Sequence, residues 1–176
     1  MTMDFADTLF SVRDAAPADT HSLGAIKYGE RMHGCRIAVS DGRTLRYLVA
    51  ELSEEIIGFA CLVPAQPTSW PSMSHLPQIV DLTIREDHRG KGLGTKFIGV
   101  METLTHQAGH NRLFIAVAPE RNPRAHRLYA RLGYCAIETE PLEDRWEYVD
   151  SEGVWRAGVE RVIHMRKEPL SPPRES

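Results

Sequence analysis

Residues 78–95 read Gln78-Ile79-Val80-Asp81-Leu82-Thr83-Ile84, then Arg85-Glu86-Asp87-His88, then Arg89-Gly90-Lys91-Gly92-Leu93-Gly94-Thr95. A β-branched apolar run feeds a polar turn, the turn opens into glycines on alternate positions, and an amphipathic pattern follows. That order predicts a strand, a loop and a helix. Leu93, Phe97, Val100, Met101, Leu104 and Ala108 recur at the helical period, and Gly109 suits the C-terminal cap. Glycines at 90, 92 and 94 leave backbone N–H groups uncovered just where the helix begins. Unpaired donors and the positive end of the helix dipole both favour an anion there. Arg89 and Lys91 add formal positive charge. From the residues alone, this is a pyrophosphate cradle on a strand-to-helix junction.

Downstream, Arg112 to Ala118 is a near-continuous apolar run, as expected of a strand covered on both faces. Strand, helix and strand in succession predict a right-handed parallel crossover. Asn122-Pro123 starts another helix, with Asn as N-cap and Pro at the first helical position. Ala125, Leu128, Tyr129 and Leu132 line one side of it and Gly133 stops it. Tyr134 to Ile137 reads as a short strand, Glu138 to Gly158 as acidic and irregular, and Val159 to Met165 as a closing strand.

Upstream, Ser11-Val12-Arg13 is a brief strand, and a helix is expected after Pro17 up to about Met32, weakened by Gly24 and Gly29. Thr44 to Leu52 and Ile56 to Val63 form an antiparallel hairpin across Ser53-Glu54-Glu55. Pro64 to Pro77, with Trp70 and Met73, is a long loop of a kind that often serves function.

A chain of 176 residues fits one domain, here 1–169 followed by a mobile tail at 170–176 containing Pro172-Pro173. The formal net charge of −3 gives no overall reason to expect nucleic acid. No apolar run approaches the ~20 residues that span a bilayer, and the N-terminus lacks a basic-then-apolar leader. Cys35, Cys61 and Cys135 have no CxxC spacing and read as buried small hydrophobes of a reducing compartment. A cytoplasmic protein, monomeric or homodimeric, is the expectation.

Rival glycine motifs fail. A phosphate-loop NTPase needs GxxxxGK[ST], which is absent. A dinucleotide fingerprint needs a third glycine where Phe97 stands, and a first strand near the start of a doubly wound sheet. The arrangement instead resembles the GNAT superfamily of N-acetyltransferases. Its Arg/Gln-x-x-Gly-x-Gly/Ala pattern is matched by Arg89-Gly90-Lys91-Gly92-Leu93-Gly94. A second signature appears as Asn122, Ala125, Leu128-Tyr129 and Leu132-Gly133-Tyr134. The opening Val12 to Asp19 is similar to the family's usual start.

The resemblance implies an α/β fold with a mixed sheet whose central parallel strands, here 78–84 and 112–118, splay apart to admit acetyl-CoA. Arg89, Gly90, Lys91, Gly92, Leu93, Gly94 and Thr95 would cradle its pyrophosphate. Leu82, Thr83 and Ile84 would pair with the pantetheine amides, and a backbone N–H of that strand would polarise the acetyl carbonyl. Asn122 and Tyr129, seven residues apart on one helix face, would complete the cofactor site. Tyr129 would protonate the departing thiolate, although taken alone it also reads as a core tyrosine. Asp81 is the candidate general base, with a structural carboxylate as the alternative. No metal is expected. Glu102, His106 and His110 recur every four residues but read as a solvated face, and His33-x-Cys35 lacks a third ligand.

The implied activity is acetyl transfer from acetyl-CoA directly to a primary amine. Carboxylates between Glu138 and Glu152, interleaved with Trp146 and Tyr148, suggest a small cationic acceptor through Coulomb and cation–π attraction. A protein N-terminal or lysine acetyltransferase, and a non-catalytic acyl-CoA sensor, are the alternatives.

Overall fold

In the computed structural model, residues 9–66, 76–149, 152 and 154–170 are described. The stretch carrying Trp70 and Met73, residues 171–176 and the side chain of Tyr148 lie outside that set. The strands are β1 (Phe10–Asp14), β2 (Arg46–Leu52), β3 (Glu55–Gln66), β4 (Leu76–Ile84), β5 (Leu113–Val117), β6 (Cys135–Ala136), β7 (Leu142–Val149) and β8 (Trp155–Lys167). They form a sheet in the order β1-β2-β3-β4-β5-β8-β6, with β7 paired to β8. Every pairing is antiparallel except β4 with β5, which is parallel. The helices are α1 (Thr20–Ile26), α2 (Glu30–Ala38), α3 (Leu93–Gln107) and α4 (Pro123–Arg131). The mixed α/β fold with a central parallel pair agrees with expectation.

Alternation along the central strands builds two cores. Leu48 and Ala50 of β2, Leu62 of β3 and Ile115 of β5 pack with Leu93, Phe97, Ile98 and Met101 of α3. Tyr47 and Val49, one residue out of step, pack with Phe59, Cys61 and Leu23 against α1 and α2. Both faces of β2 and β3 are thereby dry, which is why these strands read as continuous apolar runs.

Where boundaries differ from expectation, the causes are local. The β2–β3 turn uses only Ser53 and Glu54, both at positive φ (52° and 68°), the geometry of a two-residue type I′ hairpin. The helix expected up to Met32 is two helices. Lys27, Tyr28 and Gly29 break it, with Tyr28 at φ 64° and its ring against Phe59 and His33. The segment expected to be irregular is mostly the β7–β8 hairpin. Gly158 faces Trp146 across it, and a Cβ there would collide with the indole. Leu170, expected to begin a mobile tail, is 3% exposed and its N–H donates to Asn111 O at 2.9 Å.

Two other readings need correction. Cys61 is buried, but Cys35 and Cys135 are exposed. Glu102 does not belong to a solvated face: it accepts from Tyr134 Oη at 3.0 Å and Lys167 Nζ at 2.7 Å, clamping α3 to β8 and to the turn after α4. Among the described residues there is no group of three metal-ligating side chains, and no helix is long and apolar enough to cross a membrane.

The sheet is interrupted where the site lies. β4 and β5 pair only at Gln78↔Phe114 and Ile79↔Ile115. One step further, β4 carries a bulge. Val80 faces Cys61 and Thr83 faces Phe59, so β4 uses one more residue than β3, and Asp81 takes φ 54°. Beyond the bulge, the side of β4 turned toward β5 pairs with no strand among the described residues.

Candidate active site

Two cavities open at this break. The first, about 500 Å³, lies on the α3 and α4 side. Leu82, Thr83 and Ile84 form one edge, the glycine loop one end, and Asn122 and Tyr129 of α4 the opposite wall. Of the residues expected to hold the cofactor, all line this cavity except Lys91 and Leu93. Lys91 points to solvent, and Leu93 is buried in the core that anchors α3.

The loop's geometry fits an anion. Gly90 and Gly92 sit at φ 78° and 79°, a backbone that disfavours side chains, and Gly92 is the N-cap of a 15-residue helix. A Cβ on Gly92 would meet nothing within 4 Å, and one on Gly90 would meet only the Arg124 guanidinium at 3.9 Å. No side chain crowds the loop, and Gly92, Gly94 and Thr95 at the start of α3 line the cavity, where the helix terminus favours an anion. Arg89 Nε donates to Ile84 O at 2.8 Å, tying the loop to the end of β4. Arg124, the second residue of α4, brings a cation to the loop from the far side. Sequence reading missed it because no motif links the two segments.

Asn122 Oδ1 accepts from Ala125 N at 3.1 Å, so the residue caps α4 and lines the cavity at once. Tyr129 is 6% exposed, with its ring centroid 6.2 Å from that of Tyr134. Burial alone pushes its phenol up to about 12. Among the described residues its hydroxyl has no hydrogen-bond partner, though it lines the cavity. A phenol raised in this way is protonated at neutral pH and able to donate into the cavity.

The second cavity, about 850 Å³, lies on the α2 and β7 side. Phe114, Ala116, Val162 and His164 form its floor, β7 contributes Asp144 to Glu147, and Lys27 lines both cavities. Asp81 stands at the junction. Its Oδ1 accepts from Lys27 Nζ at 2.9 Å and Tyr28 Oη at 3.2 Å, and its Oδ2 from Arg36 Nη1 at 2.6 Å. Burial works against the charge on Lys27, but Asp81 and Tyr28 outweigh it and hold its pKa above the ordinary value. In the floor, His164 Nδ1 lies 3.0 Å from Glu138 Oε1, while Glu138 Oε2 accepts the His164 N–H, also at 3.0 Å. Sequence reading singled out none of Lys27, Arg36 or His164.

Other features carry no chemistry of this kind. Burial pushes the Cys61 thiol up to about 11, which keeps it from being a nucleophile at neutral pH. A depression of about 580 Å³ near Arg13, Asp19, Glu51 and Arg85 lies away from β5 and the glycine loop. Arg13 pairs there with Asp19 and Glu51, and Arg85 with Glu55.

The model of the acetyltransferase (GNAT) family matches residues 12–134. Among solved structures, yncA of Salmonella typhimurium, which holds its cofactor acetyl-CoA, superposes with a TM-score of 0.64 at 16% identity, covering 95% of this chain and 97% of that one. The ribosomal-protein-S18-alanine N-acetyltransferase of Escherichia coli gives 0.63 at 17% identity over 96% and 98% of the two chains. A GNAT-family acetyltransferase of Streptococcus pneumoniae gives 0.62 at 19% identity over 90% and 99%. These likenesses show a shared fold. A comparison with curated protein sequences gives no match.

Proposed function

Since the chain belongs to the GNAT family of acetyltransferases, we propose that it moves the acetyl group of acetyl-CoA directly onto the primary amine of a small acceptor. One observation carries this reading. The glycine loop, the unpaired edge of β4 and the Tyr129 hydroxyl share a single cavity, which meets a second, acceptor-sized cavity at Lys27.

Acetyl-CoA supplies the thioester; the chain binds, orients and moves protons. The α3 N-terminus, Arg89 and Arg124 hold the pyrophosphate. Backbone groups of Leu82, Thr83 and Ile84, which no strand of the sheet engages on that side, take the pantetheine amides and polarise the acetyl carbonyl. Asp144 and Glu147, with the Trp146 ring beside them, draw the acceptor in as an ammonium ion. Asp81 has both oxygens committed to Lys27, Arg36 and Tyr28, so we read it as a positioning residue and give the base role to His164 backed by Glu138. The ammonium gives one proton to His164, and the freed amine attacks. As the C–N bond forms and the C–S bond breaks, Tyr129 hydrogen-bonds to sulfur. A phenol held near pH 12 is a weak acid toward a thiolate, so its transfer completes as the nitrogen's second proton restores the phenol. The products are an N-acetylated amine and the free thiol.

A thiol-release assay over polyamine, aminoglycoside, amino-acid and peptide acceptors, with product mass measured, tests this directly. Stoichiometric thiol and acetylated product are expected with small amines. Tight binding of acetyl-CoA without release across the whole panel would instead mark a sensor, and release with peptides alone a protein acetyltransferase. Replacing His164 with Gln is expected to lower kcat about 10²-fold while acetyl-CoA binding persists. An unchanged kcat would return the proton to solvent or Asp81.

A further inference from the structure

We propose that the acceptor is an amino carboxylate, its acid group close to its amine, and that Arg36 and Lys27 dock that carboxylate. The inference rests on the acetyl-transfer reading and deepens it.

Charge balance at the cavity junction motivates it. Lys27 and Arg36 share one carboxylate, Asp81, which leaves one positive charge uncompensated in that group. The Arg36 side chain is only 18% exposed, and its guanidinium lies over the rings of Tyr28 and Tyr47, at 5.3 and 5.6 Å from their centroids. Among the described residues, Asp81 and Tyr47 engage at most two of its five N–H groups. A half-buried guanidinium with unspent donors, held over two rings, suits a planar carboxylate, which can accept two parallel N–H bonds. A spherical or singly bonding anion would use the fork less well.

Position sets the spacing. Asp81 precedes Leu82, the residue where the first cavity begins, and Lys27 lines both cavities. A carboxylate on Lys27 and Arg36 therefore sits beside the point of acetyl transfer, and the amine must be only a few bonds away. The opposite wall agrees. Asp144 and Glu160 face each other directly across β7 and β8, with Trp146 two residues along. Like charges in direct register repel; Arg121, at 3.7 Å from Glu160, offsets one of them, and an ammonium beside Asp144 would offset the other. On the β7 side Asp144, Glu147 and Glu160 outnumber Arg121 and Arg145, so the cavity is positive toward α2 and net negative toward β7, matching a zwitterion rather than a simple polycation.

The test compares α- and β-amino acids with their amides and with the matching decarboxylated amines. Both controls keep the amine and lose the negative charge. Wild-type kcat/KM is expected to favour the acid by about 10- to 100-fold, the range of a charge-assisted pair. In Arg36→Gln that ratio is expected to fall to near 1, and in Arg36→Lys to an intermediate value. A second arm needs no turnover: calorimetric titration of acid and amide into the protein saturated with coenzyme A, where the same order is expected. Amides or plain amines bound and turned over as well as acids would overturn the proposal, as would an unchanged ratio in Arg36→Gln. If acetyl-CoA binds but no acceptor is acetylated, the transfer reading fails, while the titration still reads carboxylate docking.

Discussion

Replacing Tyr129 with Phe is expected to lower kcat by about 10²- to 10⁴-fold, the usual weight of a positioned proton donor, and to leave the Kd for acetyl-CoA near its wild-type value. The ring fills a wall of the first cavity and packs on Tyr134, and phenylalanine preserves both contacts. Only the hydroxyl is lost, and it satisfies no other group of the described chain. Folding should therefore be untouched. Deleting a mostly buried hydroxyl without a partner is neutral or mildly stabilising. The measurement pairs steady-state kinetics with a thermal melt. A kcat equal to wild type would remove Tyr129 from the chemistry and leave it as a core residue. A lowered Tm would show instead that the loss of activity is structural.

Gly58→Ala is expected to damage stability and activity together. A Cβ at this position would lie 2.5 Å from Thr83 O and 2.8 Å from Ile84 Cδ1, both on β4. Real contacts are not that short, and one of the two atoms is backbone, so the strand itself must move. Overpacking of this kind costs roughly 1–3 kcal/mol. The displaced residues are those expected to hold the pantetheine arm, so kcat/KM should also fall, on the order of 10²-fold for a misplacement near 1 Å. Urea unfolding and kinetics read the two effects. Gly99→Ala is the control: nothing lies within 4 Å of its added methyl, and in the middle of α3 it should stabilise by roughly 0.5–1 kcal/mol. A Gly58→Ala protein with wild-type urea midpoint and kcat/KM would show that β4 yields at no cost.

Gly58 also marks the limit of what the sequence discloses. The glycine loop, α3 and α4 were legible because their signals are local: alternate glycines, a helical stripe, Asn122-Pro123 at one helix start and Gly109 at another helix end. Ile56-Ile57-Gly58-Phe59 reads only as a strand with a weak point, since the reason for its glycine is a backbone 25 residues further on. The β7 strand was hidden for a different reason. One of its faces looks into the second cavity, so Asp144 stands where an apolar residue would have completed the alternation. The acceptor side was least visible of all. Lys27 and Arg36 lie in a segment broken by glycines, 54 and 45 residues from the carboxylate that gathers them. Only the fold makes them neighbours.

The early parting of β4 and β5 has a consequence for the life of the protein as a whole. An unpaired strand edge on the outside of a sheet invites other chains to add to it, and proteins spend charges, prolines and bulges to prevent this. Here the unfilled hydrogen-bonding groups lie between strands, with β3 behind one side and β8 behind the other. A second copy of the chain would find only a short gap flanked by two strands, which suits the slender ligand with two amides that we propose fills it. The same interruption that we propose admits the cofactor therefore keeps the unpaired edge away from the outside of the sheet, where aggregation begins.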